Sequence, residues 1–537
     1  MMGISTFNSA DTGHVRSARQ AFTFESLKQR LLPTVALSGP LMWIIPLAVT
    51  LLAGLLRFIN LAHPHLLIFD ETYYVKDAFS LLQSGYEREW ADDSDAQFIA
   101  GDPQLSNDSS FVVHPPLGKW LIGLGMLLFG DFNGFGWRFS TALFGTLSVL
   151  LVTLCARLLF GSHTLAGIAG LLMAIDGHSI VMSRTALLDI FLMFFVLAAF
   201  YALLKDRIQG RTQLARKLSV PPGNRPDEFL LANGPMLWWR PWRLVAAVML
   251  GGAVGIKWSA LSFVAVFCIL AVLWDFAARR TAGIHRWQRS AFIRDGIYSF
   301  FTMIPIVLLT YLSTWTGWLV TAGGRYRQWA VENPGEGISW LPAPLRSLWH
   351  YHQAGYEFHT GLSSEHGWQS SPWTWPFAGR PVLFYFEGYD QGVNGCDLKR
   401  CTEVITDLPN PLLWWACSIS MFLLILWWLG ARDWRAGAIL SSAVAGFLPW
   451  LMYPERTMFF FYTLPLVPFM VLSLTYMIGR FIPREPNTGL MYRSRITVVT
   501  LVIALFLVTS AFFWSIWSGQ MIADELWRLH VWIPSWG

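Results

Sequence analysis

The chain has 537 residues, of which 54% are hydrophobic, 15% aromatic and only 14% charged, with a formal net charge of +5. Soluble domains carry about 25% charged residues, so this composition excludes an ordinary soluble protein, and the small net charge gives no reason to expect a nucleic acid partner. The 29 Trp and 39 Phe suit membrane-interface belts and crowded helix packing.

Residues 1–35 are polar and basic, with Arg16, Arg19, Lys28 and Arg30, and lack the short apolar core of a signal peptide. They read as a cytoplasmic tail ahead of a multi-span membrane domain over 36–517. Apolar stretches able to cross a bilayer, each needing about 20 residues, begin near Ala36, Arg138, Leu165, Ala186, Trp242, Ser259, Ile297, Pro411, Gly437, Met458 and Ile496, eleven in all. A twelfth stretch, Leu117 to Gly130, is 14 residues long and opens with His114-Pro115-Pro116. Three basic loops, spread over 205–243, 279–294 and 480–495, fall on the cytoplasmic side with the N-terminus only if Leu117 to Gly130 does not cross. That stretch therefore reads as re-entrant or interfacial. The expectation is an all-α integral membrane protein of about 11 transmembrane helices, N-terminus inside, with the tail 518–537 outside.

This topology makes 60–137 and 316–408 large external loops. In the first, Asp70 and Glu71 stand just beyond the first span, where a charge at hydrocarbon depth costs about 2.5 to 3.5 kcal/mol and is a functional candidate by default. An ordinary loop start, or a cap on the amphipathic helix that Thr72 to Tyr86 suggests, is the bland alternative. His114 and Lys119 follow in His114-Pro115-Pro116-Leu117-Gly118-Lys119. Further charges gather on the same rim: Arg138, Asp176, His178, Arg184, Asp189, Lys257, Glu455 and Arg456. Cations there could hold a lipid phosphate beside acids able to take a proton from a nucleophile; head-group snorkelling and an interhelical ion pair at Asp189 are the plain alternatives.

Cys396 and Cys401 lie in the second external loop, where an oxidising compartment favours a small disulfide-closed turn. Cys155, Cys268 and Cys417 fall in spans as packing residues. Trp373 and Trp375 suit either an interface belt or sugar stacking. The adjacent acids could hold a divalent metal, although a third and fourth ligand are not evident. No other cofactor is indicated, and no Gly-rich phosphate loop or internal repeat is visible.

The ordered set Asp70-Glu71, His114 to Lys119, Arg138, Arg184 to Asp189, Gly255-Ile256-Lys257-Trp258, Ser371 to Pro376 with Arg380-Pro381, and Pro454-Glu455-Arg456 resembles the protein O-mannosyltransferases. It is most similar to the bacterial branch, since 316–408 is too short for an inserted β-trefoil domain. The resemblance implies the multi-span GT-C glycosyltransferase fold, a polyprenyl-phosphate-mannose donor, Ser or Thr hydroxyls of exported proteins as acceptors, and a bacterial plasma-membrane location with an extracytoplasmic site. It further implies an inverting single displacement with Asp70 as base and Glu71 orienting, two roles open to exchange. Arg138 is the first choice for the departing phosphate, with Arg184, Lys257 and Arg456 behind it, and His114 either shapes the donor pocket or stabilises its turn. Membrane lipids are expected neighbours, and association with the Sec translocon is a family expectation. Two alternatives remain: a sister enzyme with a lipid or cell-wall glycan acceptor, and a transporter, whose charges should instead lie at the bilayer midplane.

Overall fold

The computed structural model describes residues 22–32, 38–482 and 489–537. Most of the expected N-terminal tail therefore lies outside the described residues. The chain divides into two compact units, one built from 207–240 and 272–298 with the N-terminal segment, the other from 35–206, 241–271 and 299–537.

In the smaller unit the helix Phe24–Leu31 begins where Thr23 accepts from the Ser26 N–H. Leu27 and Leu31 repeat at helical spacing on one face and bury against Leu214, Leu218, Ala278 and Ala282. Arg279 is locked by Asp295, its Nη2 donating to Oδ1 at 2.8 Å.

The larger unit holds the apolar helices. Among the described residues, eight are long and apolar enough to cross a membrane: Leu41–Phe58, Gly134–Phe160, Ala260–Ala282 and Trp287–Thr314 (each partly in the smaller unit), Pro411–Ala431, Trp434–Met452, Phe460–Phe481 and Leu490–Ser518. A ninth arises if His163–Ile175 and Gly177–Arg184, bent by 58° at their junction, form one span. Two of the eleven expected spans fall short of that measure. Pro241–Val254 has only 14 residues, and Asp189–Leu218 carries Lys205, Asp206, Arg207, Arg211, Arg216 and Lys217 in its second half. Leu117–Phe129 is a short apolar helix of 13 residues. It lies close to its neighbour: a Cβ on Gly125 would meet the Gly136 carbonyl at 2.5 Å, so only glycine permits this approach.

The bend after Ile175 has a local cause. Asp176 turns its carboxylate back to accept from the Ser179 N–H at 2.9 Å, starting a new helix instead of continuing the old one. Arg57 fills the break. It is fully buried, donates to the Ala174 carbonyl and reaches Ser179 and Ser183 at 2.8 and 3.1 Å.

The segments between the apolar helices are not all helical, which corrects the all-α expectation. Strands β1 (Arg88–Trp90) and β2 (Leu105–Ser109) pair antiparallel in the first loop. In the second, β3 (Val382–Asp390) and β4 (Arg400–Asp407) form a hairpin, and β5 (Met521–Ala523) from the C-terminal segment completes a sheet ordered β3-β4-β5. Its alternating Phe, Tyr, Val and Ile residues favour strands but are too short and mixed to outweigh the surrounding helical signal. Cys396 and Cys401 form a disulfide across the hairpin end. The register shifts between Leu383 and Tyr385, a bulge that turns the Phe384 ring onto Phe69 with centroids 4.7 Å apart.

Candidate active site

Phe69 adopts a left-handed backbone, φ +50°, immediately before the helix Glu71–Ser84. Asp70 occupies the N-cap position without a capping hydrogen bond from its side chain, and Gly85 ends the helix at φ +79°. Between them no glycine or proline interrupts 14 residues, which projects Asp70, Tyr74 and Asp77 from one side.

The adjacent acids part company. Glu71 is fully buried: Arg138 Nε and Nη2 donate to its two oxygens at 2.8 and 2.7 Å, and the N–H groups of Ala186 and Ile68 add bonds at 2.8 and 3.1 Å. Arg138 is equally buried and spends its remaining donors on the carbonyls of Leu61, Pro64 and Leu66. A guanidinium so enclosed has its N–H groups engaged by protein acceptors, whereas the phosphate contact expected at Arg138 would need a donor free.

Asp70 has a different environment. Its carboxyl is hydrogen-bonded to Tyr74, and burial pushes its pKa up to about 6, with nearby Asp189 adding to the rise and Lys257 opposing it. Lys257 Nζ donates to Asp189 Oδ2 at 2.7 Å and sits 5.5 Å from the Tyr462 ring centroid. Asp189 starts its helix immediately after the turn that carries Ala186, so the backbone that binds Glu71 also sets the position of Lys257's partner.

Beside this group opens a cavity of about 290 Å³ lined by His114, Asp189, Lys257, His359, Arg456 and Tyr462, with an apolar wall that includes Leu261, Phe263 and Pro449. Arg456 is half-buried. Its Nε donates to the His359 carbonyl at 3.0 Å, its Nη2 stands 3.4 Å from His359 Nδ1, and its head lies over the rings of Trp450 and Tyr462. His114 stacks on His359 with centroids 5.2 Å apart. Burial and the surrounding cations hold His114 well below the usual imidazole range, so it is neutral here.

Other expected site residues lie elsewhere. Lys119 is buried in a close ion pair with Glu87, with Asp77 Oδ2 3.6 Å away. Arg184 donates to the carbonyls of Arg57, Ile59 and Asn60 at 3.2, 2.7 and 3.3 Å, closing the C-terminal end of Leu41–Phe58. His178 pairs with Asp407 at 2.6 Å, both fully buried. Trp375 is buried, its indole donating to Ser370, whereas Trp373 is exposed. Among the described residues no group of three or more His, Cys, Asp or Glu stands ready to hold a metal ion.

Three participants were not read from the sequence: Tyr74 as the Asp70 partner, His359 and Tyr462. His359 sits in the helix Ala343–Gly361, with no motif around it. A signal did exist for Tyr74, which stands at i+4 from Asp70 on one helix face.

The sequence matches the family described as dolichyl-phosphate-mannose-protein mannosyltransferase over residues 47–220, and the C-terminal four-span region of protein O-mannosyltransferase over 344–536. It is 37% identical over 508 residues to a polyprenol-phosphate-mannose–protein mannosyltransferase of Mycolicibacterium smegmatis, covering 92% of this chain and 93% of that protein. The namesake from Mycobacterium tuberculosis is 35% identical over 504 residues, covering 92% of each. In fold it is similar to a chain of the Saccharomyces cerevisiae protein O-mannosyltransferase Pmt1-Pmt2 complex bound to the sugar donor, with a TM-score of 0.69, 14% identity and coverage of 96% and 94%. With relatives this similar over nearly the whole length, and both family regions in order, the chain belongs to the bacterial polyprenyl-phosphate-mannose–protein mannosyltransferases, a family of membrane glycosyltransferases.

Proposed function

We propose that this protein transfers mannose from polyprenyl-phosphate-mannose to Ser or Thr hydroxyls of exported polypeptides, on the extracytoplasmic side of the plasma membrane. One observation carries the reading: Asp70, a carboxyl in no salt bridge among the described residues, stands close to Lys257 and Asp189 in the wall of a cavity that combines Lys257 and Arg456 with an apolar side. A polyprenyl phosphate needs both halves of that cavity.

In the proposed reaction the acceptor oxygen attacks the anomeric carbon as the bond from that carbon to the phosphate oxygen breaks. Asp70 takes the hydroxyl proton, a service typically worth about 10² to 10⁴-fold. Negative charge grows on the leaving phosphate, where Lys257 and Arg456 stabilise it. Asp189 holds Lys257 in place, and the Glu71–Arg138 pair holds the helix bearing Asp70. His114, being neutral, faces the donor as a hydrogen-bonding group without adding to the cationic charge. One base and a direct displacement give inversion at the anomeric carbon, and no second nucleophilic carboxylate is needed. The Cys396–Cys401 disulfide supports an oxidising compartment for this face.

The test supplies purified protein in detergent with radiolabelled polyprenyl-phosphate-mannose and either a Ser/Thr peptide or a glycolipid acceptor. Label is expected in the peptide. Label in the glycolipid alone would replace this reading with the sister activity.

A further inference from the structure

A second cleft, of about 490 Å³, shares no lining residue with the cavity beside Asp70. Its walls come from three parts of the larger unit: Asn60 to Leu66, the hairpin residues Tyr385, Tyr389, Asn394 and Glu403, and Gly519 to Met521. Neither Lys nor Arg lines it, which disfavours a phosphate or another anion. Two tyrosines, two asparagines and Gln520 instead supply broad aromatic surface and amides that donate and accept, the mixture that recognises chains of varied sequence.

Two structural connections join this cleft to the proposed chemistry. First, the carbonyls of Pro64 and Leu66 in its wall accept from Arg138, the same guanidinium that grips Glu71 beside Asp70. Second, the strand carrying Tyr385 and Tyr389 is the terminal strand of its sheet, so one backbone edge has no strand partner among the described residues. Phe384 of that strand stacks on Phe69, next to Asp70, while Phe386 to Gly388 are exposed. An unpartnered strand that contributes to a polar aromatic cleft and also touches the residue before Asp70 matches the way extended peptides bind, with backbone pairing along an edge and side chains in alternate pockets.

We propose that this cleft and the adjoining β3 edge dock an extended segment of the acceptor polypeptide flanking the hydroxyl to be modified. Recognition is through backbone and small polar groups, so it is tolerant of sequence and demands an unfolded acceptor. The proposal rests on the protein-mannosylation reading above.

The test compares two peptides with the same central Thr, a tripeptide and a twelve-residue peptide, using full-length protein and saturating donor. Tyr389→Ala is expected to raise the KM for the long peptide by about tenfold, which is about 1.4 kcal/mol of binding, while leaving kcat, the tripeptide KM and the donor KM unchanged. A long peptide bearing a photoreactive residue beside the Thr should crosslink to the Tyr385–Tyr389 or Gly519–Met521 segments. An unchanged long-peptide KM, an equal loss on both peptides, or crosslinks confined to other segments would overturn the proposal. So would a loss seen only with a premannosylated peptide, which would make the cleft a sugar site. If wild-type protein labels neither peptide but does label a glycolipid, the failure belongs to the functional reading, not to the cleft.

Discussion

Replacing Asp70 with Asn should abolish transfer and stabilise the protein. The carboxyl has its pKa raised from an ordinary 3.8 to about 6, chiefly by burial. A raised acid favours the protonated form in the folded state, so its contribution to stability is fully present below 3.8 and is lost as pH rises through about 6. A shift of about two pKa units at about 1.36 kcal/mol each makes the ionised carboxylate cost up to about 3 kcal/mol at pH 7, about 1.5 at pH 5 and almost nothing at pH 3. Asn keeps a similar shape and hydrogen-bonding capacity without the charge. The variant should therefore unfold several degrees above wild type at pH 7 to 7.5 in detergent, with the difference shrinking toward pH 5, while donor binding persists. Differential scanning fluorimetry across pH, paired with a transfer assay, measures both parts. A variant no more stable than wild type at pH 7, or a gain that does not change with pH, would refute the argument that burial strains this charge.

Because Asp70 must be ionised to act as base, kcat/KM should fall as pH drops through about 6; a flat profile from pH 5 to 8 would contradict that. Glu71→Gln leaves the Arg138 cation buried without its counter-charge and should cost about 3–5 kcal/mol, seen as loss of folded protein in size-exclusion profiles rather than as a clean kinetic defect. Arg456→Ala removes a charged contact worth about 1.5–3 kcal/mol, so the KM for the lipid donor should rise roughly 10- to 100-fold with little change in acceptor KM. Reducing the Cys396–Cys401 bond, whose cysteines are separated by five positions, should cost about 2 kcal/mol in thermal stability and leave the donor KM unaltered.

Much of this architecture is legible in the amino-acid order because lipid imposes length and apolarity on every spanning helix. The eight helices long and apolar enough to cross, the short Leu117–Phe129 helix and the helix after Asp70 follow from that constraint and from Gly, Pro and capping residues. The three-stranded sheet is less visible, since β5 joins it from more than a hundred residues beyond the β3–β4 hairpin and gains its pairing only in the fold. At the site, charge type and position marked the right neighbourhood but not the pairings. Asp70 and Glu71 look equivalent as neighbours, yet a helix start sends consecutive side chains in different directions, so one meets Arg138 and the other Tyr74. Likewise Arg184 and Lys119 are cations on the expected rim, but carbonyls at a helix end and a buried Glu87 claim them first. Periodicity cannot reveal which of several buried charges already has a partner.

The most direct measurement follows the anomeric carbon itself. Proton NMR of the glycopeptide made from polyprenyl-phosphate-mannose and a Thr peptide should show a single hexose on the Thr oxygen, with the anomeric configuration opposite to that of the donor. Retained configuration would contradict a single displacement driven by Asp70, and a peptide recovered without hexose while a lipid acceptor is labelled would contradict the protein-mannosylation reading altogether.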